Sequence, residues 1–284
     1  MLYNQGFDRT IINLLGINKT KKHTQIKYLD KAIKTFKSPK NAVTIAICGK
    51  YNSLHDAYKS ILEAFIHAGI DNDAKVNVKW IDTEEFERKL DYSIFENIDG
   101  ILIPGGFGYR GIEGKILATQ YARENNLPFL GICLGMQCAV IEFARNVCNL
   151  NNSNSKEFDN QTRYPVIDLM PSQKKVIDKG ATMRLGKYSC SLSTKSNAFK
   201  AYGKRNINER HRHRYEVNNK YKKQLIKNGM SITGVNKKLD LVEIVEIKDH
   251  NWFVGVQFHP ELKSRIVNVH PLFRDFISAA VKFK

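Results

Sequence analysis

No apolar run in the sequence approaches the length needed to cross a bilayer, and residues 1–9 hold no signal-peptide core. Nothing in this pattern argues for export. Cysteine is sparse, and its five occurrences, Cys48, Cys133, Cys138, Cys148 and Cys190, include no C-x-x-C pair. They suggest neither a disulfide framework nor a zinc site, so no metal is expected and a reducing, cytoplasmic setting fits best. There is no internal repeat and no G-x-x-x-x-G-K-[ST] phosphate loop.

Acidic residues are the other shortage. The chain has 45 Lys/Arg against 28 Asp/Glu, a formal net charge of +17. Residues 1–41 supply +7 of it and residues 184–223 supply +10, while the rest balances. Neither block carries a base-stacking aromatic pattern or a helix-turn-helix signal, so no specific nucleic-acid partner is expected.

What remains is a globular composition, 42% hydrophobic and 26% charged, in a chain of 284 residues. Residues 1–41 show only a short amphipathic stretch, and the Ser38-Pro39-Lys40-Asn41 break predicts a domain over residues 42–284. From there β-branched runs alternate with helical spacing. Strands are predicted at 43–48, 76–81, 100–103 and 128–132, and helices at 56–69, 113–125 and 134–148. Residues 149–161 read as a polar loop, 182–185 and 187–193 as two short strands, and 220–228 as a helix. Residues 241–247 alternate acidic and apolar side chains, which predicts a strand with one wet face. A strand over 252–258 and a helix over 271–283 close the chain. This alternation predicts a three-layer α/β fold, with a mostly parallel central sheet and helices on both faces.

The strongest local signal is Gly131-Ile132-Cys133-Leu134-Gly135. A buried strand runs directly into a helix with cysteine at the corner, the nucleophile-elbow pattern with Cys in place of Ser. The helix N-terminus would favour thiolate over thiol. A base is needed next, and Phe258-His259-Pro260-Glu261 offers one. In extended backbone, His259 and Glu261 would share a face, so Glu261 could orient the imidazole. Acyl transfer also needs oxyanion donors, for which the Leu134 amide and the loop Pro104-Gly105-Gly106-Phe107-Gly108 are the candidates.

The elbow and the His-Pro-Glu element together resemble the class-I glutamine amidotransferases, flavodoxin-like α/β domains that hydrolyse glutamine. Arg210-His211-Arg212-His213-Arg214-Tyr215-Glu216-Val217-Asn218 is narrower. With residues 104–111 and 180–186, it resembles the amidotransferase half of the CTP synthase family. The resemblance runs from about Val43 to the final helix, and Gln5-Gly6-Phe7-Asp8 is similar to the tail of that family's synthase domain. It therefore implies that residues 1–41 are a linker and the end of a missing synthase domain. It implies a Cys133–His259–Glu261 triad, with Gly106 and Leu134 at the oxyanion. Gly106, Phe107, Leu134, Gly135, Gln137, Glu157 and Arg214 would contact L-glutamine. No cofactor is implied for this domain; ATP, Mg and UTP would serve the synthetase domain of the full-length chain, and GTP would be the allosteric activator. Arg110 and Lys187 are candidate effector contacts. Leu262 departs from the family pattern, where an aromatic is expected after His-Pro-Glu, and the segment between Tyr164 and Gly180 is short. Two alternatives stand beside this reading: another γ-glutamyl hydrolase or amidotransferase built on the same elbow, and a non-catalytic regulatory module.

Overall fold

The computed structural model describes residues 5–17, 24–50, 55–169 and 183–284. Two helices, α1 (Phe7–Leu14) and α2 (Thr24–Lys37), precede the sheet. The helix of α2 extends the short amphipathic stretch that the sequence shows, and Ala32 on it is fully covered.

The sheet begins with β1 (Asn41–Gly49), α3 (Lys59–Asp71), β2 (Ala74–Asp82), α4 (Thr83–Lys89), β3 (Gly100–Ile103), α5 (Ile112–Glu124), β4 (Phe129–Ile132) and α6 (Leu134–Asn146). Successive side chains on a strand point to opposite faces. On β1, Val43, Ile45 and Ile47 therefore join the core under α3, whereas Ala46 and Cys48 join the core under α4 and α5. Both faces are apolar because both are covered, which is why β1 reads as an unbroken hydrophobic run.

Beyond α6 come β5 (Asn154–Ser155), β6 (Pro165–Leu169), β7 (Arg184–Leu192), α7 (Asn197–Tyr202), β8 (Asn206–His213) and β9 (Tyr215–Val217). They are followed by α8 (Lys222–Lys227), β10 (Met230–Asn236), β11 (Leu241–Ile247), β12 (Phe253–Val256) and α9 (Pro271–Phe283). Among the described residues, nine strands form one sheet in the order β2-β1-β3-β4-β12-β11-β10-β7-β8. The five strands from β2 to β12 run parallel, and β11, β10, β7 and β8 extend them as an antiparallel wing. A second sheet, β5-β6-β9, lies beside α6. The α/β class and the parallel half follow the expectation.

The wing differs from the sequence reading in two places. One continuous strand, β7, replaces the two predicted around Gly186, whose φ of 100° is open to glycine without strain. Thr182 and the Gly180-Ala181 pair lie outside the described residues. Strand β11 has no wet face: Glu243 and Glu246 are buried. Glu246 accepts from the Asn197 and Ala198 amides at the start of α7, at 2.8 and 3.1 Å, and from Thr233 Oγ1 at 2.9 Å. A carboxylate belongs there because a helix start presents unpaired N–H groups. Glu243 meets Arg184 instead.

Candidate active site

Cys133 sits at the junction of β4 and α6, with φ 52° and ψ −100°. A non-glycine residue at positive φ carries strain that its surroundings must hold. Its N–H donates to Val256 O at 2.7 Å, which ties the corner to β12. The flanking glycines are steric necessities. A Cβ on Gly131 would stand 2.7 Å from the Gly135 carbonyl carbon, and one on Gly135 would stand 2.2 Å from Ile103 O. Cys133 thus forms the N-cap of a 13-residue helix and is itself buried.

His259 and Glu261 arrive at this corner from β12. His259 Nδ1 lies 2.7 Å from Glu261 Oε1. The contact forms, but not through the extended backbone expected from sequence. His259 precedes a 3-10 turn, Pro260–Lys263, and the turn swings Glu261 back under the ring. Strand β8 holds the turn in place: His259 N–H donates to Arg210 O at 2.8 Å, and Lys263 Nζ donates to Asn208 O at 2.6 Å and Glu209 Oε1 at 2.9 Å. Gly105 packs against both partners, since a Cβ there would stand 2.9 Å from His259 Cε1 and 3.6 Å from Cys133 Cβ. Burial alone would lower the His259 imidazole. The Cys133 sulfur and the Glu261 carboxylate outweigh it and raise the ring to about 10. A protonated imidazole beside the sulfur is placed to act as a general acid toward a leaving group.

The other four cysteines are buried as well. Burial pushes the Cys138 thiol up to about 12 and the Cys148 thiol up to about 11, so both are held neutral.

Beside Cys133 a pocket is lined by Gly106, Phe107, Leu134, Gln137, Glu157, His213, Arg214 and Tyr215. Six of the seven residues expected to contact glutamine therefore form part of the pocket wall, together with Cys133. Gly135 is not on it; that residue packs beneath the elbow against Ile103. Leu134 opens α6, so its N–H has no intrahelical acceptor. Gly106 rests against the Leu134 side chain, close enough that an added Cβ would meet Leu134 Cδ2 at 3.2 Å. Glu157, in the turn after β5, accepts from Gly108 N–H at 3.2 Å. Burial raises its carboxyl, opposed by the Gly108 amide and by the charges of Arg214 and Lys50. Gln137 Nε2 donates to Tyr215 O at 3.1 Å, and Arg214 Nε is buried without a hydrogen-bond partner among the described residues. The pocket thus offers an acid, an arginine and an amide within reach of one sulfur. Of the candidate effector contacts, Arg110 pairs with Glu84 at 3.5 Å, and Lys187 is exposed on β7.

Sequence reasoning missed a polar cluster behind this wall. Arg184 Nη1 lies 2.9 Å from Glu216 Oε1, and its Nη2 lies 2.8 Å from Glu243 Oε1. His211 Nδ1 and His213 Nε2 are 2.9 Å apart, and His211 Nε2 is 3.6 Å from Glu243 Oε2. All five residues are buried. Burial lowers both imidazoles, His211 to about 3, and raises Glu216 to about 8. Burial raises Glu243 as well, so one guanidinium holds two carboxyl groups that burial disfavours as anions. The Arg-His alternation over residues 210–214 was the available signal. Gln257 was also missed; it stands two residues before His259, with Nε2 3.7 Å from Cys133 Sγ.

A strained elbow cysteine, an imidazole backed by a carboxylate and a small polar pocket at the C-terminal edge of a parallel sheet are the equipment for acyl transfer. The class-I glutamine amidotransferase family matches residues 53–279, and the chain belongs to it. Within that family it falls with the glutaminase domains of CTP synthases. The CTP synthases of Chlorobaculum tepidum and Clostridium acetobutylicum are each 54% identical to it across its full length. The chain spans about half of them, 50% and 53% respectively. The solved glutaminase domain of Trypanosoma brucei CTPS, with bound acivicin, is 38% identical and superposes with a TM-score of 0.78. That match covers 84% of this chain and 94% of the trypanosomal one.

Proposed function

We propose that the chain is the glutaminase half of a CTP synthase, and that it hydrolyses L-glutamine through a Cys133 thioester. The observation that carries this reading is the His259 imidazole, bonded through Nδ1 to Glu261 at 2.7 Å, with its buried Nε2 unpartnered among the described residues and Gly105 packed against both the ring and Cys133. Cys133 attacks the side-chain carboxamide carbon as thiolate. The Gly106 and Leu134 amides hold the oxyanion, in place of water that would have to reorganise. As the C–N bond breaks, the His259 imidazolium gives its proton to the departing nitrogen, and ammonia leaves. His259 then takes a proton from water, the hydroxide adds to the thioester, and the C–S bond breaks to release glutamate and the thiolate. Glu261 keeps the ring oriented throughout. Glu157 meets the substrate's α-ammonium, and Arg214 its α-carboxylate, with Gln137 and Phe107 completing the pocket.

The ammonia would serve ATP-dependent amination of UTP to CTP in a synthetase domain that binds ATP, Mg and UTP, with GTP as activator of the whole enzyme. The bacterial relatives, twice this chain's length, support that assignment. Residues 1–41 then connect the two halves, a role suited to the exposed Leu14 and Leu15 on the first helix and just after it. Five unpaired cysteines suit a cytoplasmic setting. The purified chain should release glutamate and ammonia from glutamine, slowly when alone, and Cys133→Ala should abolish both products. Rapid turnover independent of GTP and of the synthetase half would contradict the two-domain part of the proposal; turnover surviving in Cys133→Ala would contradict the catalytic part.

A further inference from the structure

Cys133 Sγ has a neighbour outside the Cys-His-Glu set. Gln257 is fully buried, and its Nε2 lies 3.7 Å from the sulfur. An amide can be drawn with its oxygen and nitrogen exchanged, so the identity of the atom facing sulfur has to be argued from its partners. Here the partners settle it. Tyr215 O is a main-chain carbonyl and can only accept, so the Gln137 atom 3.1 Å from it is the NH2 group. The same Gln137 nitrogen lies 3.4 Å from the Gln257 side chain, which must therefore present its oxygen on that side. The Gln257 NH2 is left pointing at Cys133. Arg212 O, 4.0 Å from the sulfur, can accept a hydrogen bond from a thiol but offers nothing to a thiolate.

We propose that Gln257 is a further catalytic residue, donating from its side-chain amide to the Cys133 sulfur whenever that sulfur carries negative charge. Two moments qualify: the resting thiolate, and the departure of thiolate from the glutamyl thioester. In the second, the C–S electron pair returns to sulfur as the carbonyl re-forms, and the waiting N–H stabilises the leaving group without forming a bond of its own. The Gln137 link makes the donor sensitive to the pocket, because Gln137 both lines it and fixes the amide's orientation. The titratable and charged groups around the sulfur are His259, with Glu261 behind it, from the turn after β12, and His213, Arg214 and Glu157 across the pocket. None of these is altered by a substitution at Gln257.

The assignment rests on the glutaminase reading, but its test does not need glutamine. The rate of Cys133 alkylation by iodoacetamide is measured against pH in the wild-type chain, in Gln257→Leu and in Gln257→Met, with the modified residue located by peptide mass. Both variants keep about the same volume and remove the donor. A hydrogen bond to a charged group is worth roughly tenfold or more in equilibrium, so each variant should react about tenfold more slowly at neutral pH. Its alkylation midpoint should rise by about one pH unit. With glutamine, the quenched variants should carry more glutamyl-Cys133 than wild type. A residue that merely fills space would change thermal stability and leave the midpoint in place. Unchanged midpoints in whichever variant folds would overturn the proposal; wild type that alkylates normally yet never hydrolyses glutamine would instead overturn the glutaminase reading.

Discussion

The guanidinium of Arg184 on β7 sits 2.8 Å from the carboxylate of Glu243 on β11, across the intervening β10, and both side chains are sealed from solvent. Removing one partner of a buried pair leaves an uncompensated charge and costs about 3–5 kcal/mol. Arg184→Met should therefore lower unfolding stability by about that much, as read by chemical denaturation. Arg184→Lys should recover little, because a single ammonium cannot fork to Glu216 and Glu243 as the guanidinium does. Full stability in the lysine variant would show that the fork geometry is unimportant.

Gly135 has no room for a methyl group, with Ile103 O at 2.2 Å from the position a Cβ would take. The contact is backbone on both sides, so the strain cannot be relieved by turning a side chain. Gly135→Ala should destabilise the chain by about 1–3 kcal/mol or more and displace the oxyanion loop that follows β3. Alkylation of Cys133 and thermal unfolding, measured on the same sample, check both effects.

The parallel half was legible because its strands are apolar on both faces and each is followed by a helix with clear spacing. The antiparallel wing was not. On β8 the inward positions are Ile207, Glu209, His211 and His213, so the strand's period of two lies between charged residues and histidines rather than between polar and apolar. Glu243 and Glu246 on β11 misled as well: acids in a strand read as solvent-facing, yet these two stand three apart and so on opposite faces, where one meets a buried arginine and the other a helix start. The elbow and the His-Pro-Glu element could be paired from chain order and chemistry alone. Gln257 could not, because a glutamine near a strand end carries no pattern, and only the fold shows which atom it faces.

Stability should fall as pH rises from about 6.5 to 8. Glu216, raised from 4.5 to about 8, keeps its proton in the folded chain at pH values where the unfolded chain has lost it. Above the ordinary imidazole value of 6.5 the buried His211 and His213 are neutral in both states, so the folded state binds the extra Glu216 proton, and each added pH unit favours unfolding until Glu216 titrates. In Glu216→Gln, which mimics the protonated acid, the part of this slope below about pH 8 should shrink. Thermal melts across that window decide it; equal slopes in the two proteins would contradict the assignment.

Glu157 and Arg214 face the same pocket, and burial raises the Glu157 carboxyl against the opposing effects of the Gly108 amide, Arg214 and Lys50. Glu157→Gln and Arg214→Met should each raise KM for glutamine by roughly ten- to hundredfold, leaving iodoacetamide alkylation of Cys133 little changed. Equal losses in glutamine turnover and in alkylation would place these residues in support of the nucleophile and not of the substrate.

The most direct measurement is to mix the chain with glutamine, quench in acid and locate the added mass by peptide mapping. A glutamyl group on Cys133, absent from Cys133→Ala, is the predicted result. Glutamate released with no acyl group ever found on Cys133, or with one found on another of the five cysteines, would contradict the account.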